Sequence, residues 1–379
     1  MDELQRYFAC RAGSVSCGKI APHCARGSGM PRSSKTKGTS QGVAPRYGIG
    51  EWYGKLLTGL SEEDRKHFAS QPSGMPCPFK QVDLVKPGTP ALCKKRGGIC
   101  SLRLYERDHD GTARVASGSA GVLRSVCPFR LHENKTSVTW VSETLLGISD
   151  PLIATEIGFL EPLSDLVTAQ PENEDPAGDE AEDLEAKRDV GRLDLVLMDK
   201  TSTGTGHINW CVVEIQAVYF SGKGMQSYFD SLGNHTGNGT PFPDKPRRPD
   251  YRSSGPKRLM PQLQIKVPTL RRWGKKMAVV VDRGFIQTLG PMDKVPDVSN
   301  CDIAWFIVDY RETENGTSEL VKSEVRFTTL ERSVDGLTAG RPVSLSEFES
   351  RIKGKLERRQ NEEARVARRL ARKNEGLNI

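Results

Sequence analysis

Nowhere in the 379 residues is there a run approaching the ~20 consecutive apolar residues that a membrane-spanning helix needs. The opening Met1-Asp-Glu-Leu-Gln-Arg has no apolar signal-peptide region. A membrane protein and a secreted one are therefore both unexpected, and the Asn-x-Thr triplets at Asn134, Asn234, Asn238 and Asn315 are read as carrying no glycan. The six histidines form no spaced ligand pair. The nine cysteines include no Cys-x-x-Cys, and an odd number in a cytosolic chain does not suit a disulfide framework. Metal binding, burial or redox chemistry must account for them. Acidic charge is also in deficit, with 48 Asp and Glu against 55 Lys and Arg.

The charge is unevenly spread. Residues 1–50 hold eight basic and two acidic residues and are rich in Gly and Ser, which suggests a basic flexible arm. Residues 171–190 hold nine acids against Lys187 and Arg188, the composition of a solvated insert. Residues 241–280 hold eleven basic residues, with Asp244 and Asp250 as the acids. Residues 351–379 hold ten basic and four acidic residues at helical spacing, which suggests a long charged helix over 346–379.

Four short apolar runs read as strands: Leu193–Met198, Asn209–Val218, Met277–Asp282 and Ile303–Asp309. Leu259–Trp273 reads as a helix interrupted by Pro268, and 283–289 and 345–375 also read as helical. This order indicates an α/β (α+β) fold with a mixed central sheet flanked by helices. The expected organisation is an arm over 1–50, a cysteine-bearing subdomain over 51–150, a core over 151–345 with the acidic insert, and a terminal helix.

Two constellations carry chemistry. Asp194 lies on the opposite face of its strand from Leu193, Leu195 and Leu197. Glu214 and Gln216 share a face of the next strand. Carboxylates in apolar strands are costly unless paired or bound to a cation, and two on adjacent strands make a hard-oxygen site suited to Mg²⁺ and phosphodiester hydrolysis. The plainer alternative is a pair of acids at solvent-exposed strand ends. Glu156 or Glu161 could complete the site. Secondly, Cys77, Cys93, Cys100 and Cys127 fall within about fifty residues, two of them in the repeated context Cys-Pro-Phe. Four thiolates suit tetrahedral Zn²⁺ or Fe, although four buried free thiols have the same spacing. Cys10, Cys17, Cys24 and His23 could bind a second metal but read better as scattered groups on the arm, and Cys211 and Cys301 read as core.

The segment Val212-Val-Glu-Ile-Gln-Ala-Val-Tyr-Phe-Ser-Gly222, with Gly191-Arg-Leu-Asp194-Leu-Val-Leu before it, resembles the NotI family of type II restriction endonucleases. Glu156-Ile-Gly-Phe-Leu-Glu161 is similar to a segment with two Glu residues in that family, and the likeness favours Glu161. The four cysteines look like the family's metal site, which in NotI binds iron. The resemblance implies a PD-(D/E)xK nuclease core, with Gln216 where Lys is commoner. It further implies a bacterial cytoplasmic, homodimeric, Mg²⁺-dependent enzyme that cuts a GC-rich palindrome in double-stranded DNA and works beside a cognate DNA methyltransferase. Glu161, Asp194, Glu214 and Gln216 would then be catalytic, with Asp194 and Glu214 on Mg²⁺. Cys77, Cys93, Cys100 and Cys127 would hold one structural Fe or Zn per chain. Arg271, Arg272, Lys275 and Lys276 would contact DNA. The competing expectations are a non-catalytic metal-containing DNA-binding regulator and a structure-specific repair nuclease of the same core.

Overall fold

The computed structural model describes residues 43–71, 75–80, 91–93, 95–160, 191–204, 208–220, 224–338 and 343–375. These belong to one compact unit, Val43–Ile379. The segments 1–42 and 161–190, and with them Glu161 and the acidic insert, lie outside the described residues.

A small sheet comes first. Strand β1 (Arg46–Trp52) pairs with β2 (Lys55–Leu56), and helix α1 (Glu62–Ser70) follows, capped by Ser61, whose hydroxyl accepts from Asp64 N. Strands β3 (Ile99–Arg107), β4 (Ala113–Val115) and β5 (Arg124–Ser125) complete it in the order β2-β1-β3-β4, with β5 pairing β3. Because β1 starts at Arg46, the last residues of the 1–50 segment belong to this sheet. Helix α2 (Thr136–Leu145) leads on to the larger sheet.

That sheet is built from β6 (Leu152–Leu160), β7 (Gly191–Met198) and β8 (Trp210–Ile215). Helices α3 (Gln226–Asn234) and α4 (Met260–Arg272) follow, then β9 (Met277–Asp282), β10 (Ile303–Glu312) and β11 (Ser318–Thr328). Helices α5 (Leu330–Thr338) and α6 (Leu345–Glu375) close the chain. The strand order is β11-β10-β9-β8-β7-β6. The pairs β8–β9 and β9–β10 are parallel and the rest antiparallel, so the sheet is mixed, as its sequence implies. A parallel neighbour needs a crossover, and α3 with α4 supplies it between β8 and β9.

Both faces of this sheet are covered. On one, α4 presents Leu263, Val267 and Leu270 to Val212, Val279 and Trp305. On the other, Val138 and Val141 of α2 meet Val213, Val280 and Phe306. Strands covered on both sides read as near-continuous apolar runs, which is why Met277–Asp282 is buried throughout. Pro268 lies inside α4 without ending it. The helix gives up one amide donor there, and the apolar stripe on either side of Pro268 holds it against the sheet.

Candidate active site

Strands β7 and β8 lie side by side with Leu195 opposite Val213 and Val196 opposite Val212. One step further along, this ladder brings Asp194 beside Glu214. Residues abreast on an antiparallel pair share a face, so both carboxylates point to the side covered by α4. They meet there over a single nitrogen. Lys266 Nζ lies 2.7 Å from Glu214 Oε2 and 3.4 Å from Asp194 Oδ1. Lys266 and Glu214 are 2% and 8% exposed, whereas Asp194 is 43% exposed, so the site is deep at one end and open at the other. Burial, and then the neighbouring Asp194 charge, push the Glu214 carboxyl up to about 7 against the pull of Lys266.

The sequence reading does not single out Lys266. It counts among the eleven basic residues of 241–280, yet it stands in the core-facing stripe of α4 with Leu263, Val267 and Leu270. A lysine at a helical position otherwise taken by aliphatic residues is the signal that marks it.

Glu156 lies on the neighbouring strand in register with Asp194. Thr155 pairs Leu195 and Ile157 pairs Leu193, which leaves Glu156 abreast of Asp194 on β6. Its φ of 54° is left-handed and rare for a non-glycine residue. The Glu156 carboxylate is exposed and 4.0 Å from Arg192. Gln216 follows β8, where its N–H donates to Val280 O at 3.0 Å and its side-chain Nε2 donates to Ala217 O at 2.5 Å.

The pair fits a divalent cation in the chemistry of its donors, which are hard carboxylate oxygens. Among the described residues, no group of three or more His, Cys, Asp or Glu is placed to hold a metal ion.

The four cysteines are brought together in two pairs by the backbone. Cys77 N donates to Ala91 O and Cys93 N to Met75 O, both at 2.8 Å, which sets Cys77 beside Cys93. Val126 N and Cys127 N both donate to Cys100 O, at 3.0 and 3.3 Å, which sets Cys127 beside Cys100. All four are free thiols, Cys77 half-buried and the others buried. A hydrogen bond from Cys93 lowers the Cys77 thiol to about 6 and raises Cys93. The two pairs feel one another's charge, as between Cys93 and Cys100 and between Cys77 and Cys127. Lys80 N donates to Cys77 Sγ at 3.4 Å, the kind of amide–sulfur bond a metal knuckle uses. Thiol chemistry and amide donor suit a soft transition metal, but the four cysteines are not gathered into a group placed to hold one ion.

The basic quartet lies elsewhere. Lys275 and Lys276 precede Met277, which pairs with Val212, so they sit towards the opposite end of β8 from Gln216. Arg271 bonds Asp302 and also reaches Glu331, Lys275 donates to Ile208 O, and Lys276 donates to the Ser299 and Cys301 carbonyls. Arg272 is exposed.

A mixed sheet with a carboxylate pair on two adjacent strands, flanked by helices, is consistent with a nuclease-like fold. The sequence model of the restriction endonuclease NotI family matches residues 64–320, more than half of the chain. The protein therefore belongs to the NotI restriction endonuclease family and is a type II site-specific deoxyribonuclease acting on DNA. No curated protein matches the chain. Among the described residues no helix is long and apolar enough to cross a membrane.

Proposed function

We propose that the enzyme cleaves a GC-rich palindrome in double-stranded DNA with Mg²⁺ held by Asp194 and Glu214. The observation that carries the metal assignment is the convergence of the two carboxylates on one cationic nitrogen, at 2.7 and 3.4 Å, while the GC-rich palindrome rests on the family resemblance. Two buried or half-buried acids held this close repel unless a cation lies between them. A bound Mg²⁺ supplies a more acidic water and offsets charge on the phosphate. The third acid comes from Glu156, abreast of Asp194, or from Glu161 as the family resemblance favours. Gln216 does not titrate, so it helps to position the attacking water, as a lysine there also could, and does not deprotonate it.

The Cys77, Cys93, Cys100 and Cys127 set is proposed to hold one structural Fe or Zn. Four thiolates leave a tetrahedral ion no open position for water, so this centre takes no part in hydrolysis. It sits against β1 and β3 and stiffens the small sheet as a platform for DNA. A palindromic target calls for a two-fold homodimer, and a nuclease of this kind requires a cognate methyltransferase to protect host DNA. Exposed cations such as Arg272 contribute phosphate contacts.

The test is digestion of unmethylated plasmid and phage DNA with Mg²⁺, followed by sequencing of the ends. Discrete fragments sharing one GC-rich palindrome at their ends are expected. Random ends, or cuts confined to branched DNA, would reject the assignment.

A further inference from the structure

Gln216 occupies the position two residues past Glu214, where a lysine is commoner in nucleases of this core. Its amide is uncharged and donates to Ala217 O at 2.5 Å. No ammonium therefore reaches the carboxylate pair from strand β8. One does reach it from across the sheet, where Lys266 of α4 lies 2.7 Å from Glu214 and 3.4 Å from Asp194.

Helix packing alone does not explain this lysine. Its neighbours on the stripe are Leu263, Val267 and Leu270, and it is 2% exposed. A buried ion pair replaced by apolar residues of similar volume is often neutral or stabilising. A leucine or methionine would serve the α4–sheet contact without the cost of desolvating a charge. The position is instead held by a cation touching both acids of the site. A lysine ammonium has three donors and no acceptor. Two donors are directed at Glu214 and Asp194, which leaves the ammonium one further N–H.

We propose that Lys266 is the site's ammonium, delivered from helix α4 in place of the strand lysine that Gln216 replaces, and that it holds the attacking water in line with the phosphorus. This rests on the reading of Asp194 and Glu214 as the cation-binding pair. The step itself is hydrolysis. The water oxygen bonds to phosphorus and its proton passes to solvent. The bond from phosphorus to the leaving sugar oxygen breaks, and that oxygen takes up a proton from solvent. Lys266 donates a hydrogen bond to the attacking oxygen and transfers no proton in the step.

The experiment compares full-length wild type, Lys266→Gln, Lys266→Gln with Gln216→Lys, and Asp194→Ala. Glutamine keeps a hydrogen-bonding head at 266 and so preserves the packing. For each, the single-turnover cleavage rate is followed against Mg²⁺ concentration, and melting temperature is measured in EDTA and in Ca²⁺. Loss of a preorganised donor of this kind costs roughly 10²–10³ in rate. Lys266→Gln is expected to lower the maximal rate about a hundredfold at saturating Mg²⁺. Its melting temperature should fall in EDTA, where the acids lose their counter-charge, and recover in Ca²⁺. Adding Gln216→Lys is expected to restore at least tenfold of the rate, which a purely structural lysine would not do. A full maximal rate in Lys266→Gln, with only the Mg²⁺ requirement changed, would overturn the proposal and leave Lys266 a counter-ion. Should Lys266→Gln fail to fold, Lys266→Gln/Gln216→Lys, which restores the charge, decides alone: cleavage upholds the proposal, and a folded or unfolded inactive protein overturns it. An inactive Asp194→Ala beside a fully active Lys266→Gln rejects this inference only. A fully active Asp194→Ala rejects the reading beneath it.

Discussion

Arg130 and Glu51 form an ion pair at 3.0 Å in which both side chains are wholly buried. Arg130 follows the Cys127 turn, and Glu51 lies on β1. The same guanidinium reaches Glu133 at 2.9 Å and both the carbonyl and hydroxyl of Ser318 at 3.0 Å, on β11. Phe79 and Tyr310 cover its two faces, with ring centroids at 4.4 and 4.5 Å. One side chain thus ties the small sheet, the cysteine-bearing turns and the edge of the large sheet together. Removing one partner strands the other charge in the interior, at a cost of about 3–5 kcal/mol. Arg130→Met should destabilise the protein by that order in a urea titration, and Glu51→Leu added to it should recover part of the loss. A change below about 1 kcal/mol, the scale of an exposed pair, would show that solvent reaches this joint.

The cysteine centre is expected to carry about one Fe or Zn per chain by elemental analysis, the stoichiometry of a four-ligand site. Cys93→Ser and Cys127→Ser should each lose the metal and fail to fold, because metal affinity is then part of the folding free energy. Purified, folded protein without stoichiometric transition metal would remove the centre from the account.

Asp282 gives a pH signature independent of either proposed metal site. It is wholly buried at the end of β9, and accepts from Ser125 N at 2.6 Å and Phe285 N at 2.7 Å. Burial pushes its carboxyl up from 3.8 to about 6. Between those two values the native chain binds a proton that the unfolded chain does not, so this group's contribution to stability rises as pH falls from about 6 to 3.8. Asp282→Asn removes that dependence and one of the two acceptors, adding a pH-independent loss of about 1–3 kcal/mol. The stability difference between wild type and Asp282→Asn should therefore widen on acidification through this window. A constant difference would mean that Asp282 is ionised throughout.

The β6–β7 register decides how the third acid should behave. With Glu156 abreast of Asp194, Glu156→Gln is expected to slow cleavage at least about tenfold while specific binding persists, since it removes charge from the site without disturbing the core. Glu161→Gln, measured in parallel, tests the acid that the family resemblance favours. A normal rate in Glu156→Gln beside an inactive Glu161→Gln would give the role to Glu161.

Much of the large sheet is legible in the sequence because burial on both faces leaves unbroken apolar runs. Met277–Asp282 is read with the same bounds as the strand, and Ile303–Asp309 is three residues short of it. Ser318–Thr328 is not read as a strand, because it is an edge strand whose Lys322, Glu324 and Arg326 alternate with apolar residues on a solvated face. The small sheet is hidden for another reason. Gly48 and Gly50 break up the pattern of β1, where an added Cβ would meet Tyr228 Oη at 2.7 Å and Leu123 Cδ2 at 2.6 Å. Asp194 and Glu214 stand out as acids in apolar strands. Lys266 does not: its place in the aliphatic stripe of α4 marks it as core-facing, but which acids of the sheet it meets depends on how the helix crosses the sheet.

The most direct measurement is cleavage of cognate DNA in Mg²⁺ by Asp194→Ala and by Glu214→Ala, with binding followed in Ca²⁺. Either change removes half of the carboxylate pair that would hold the divalent ion, and with it the activated water and the charge compensation at phosphorus. Both variants should lose cleavage and still bind the site, with affinity equal to or tighter than wild type because a negative charge near the phosphates is gone. Cleavage by both at the wild-type rate would contradict the account and place the active site elsewhere in the molecule.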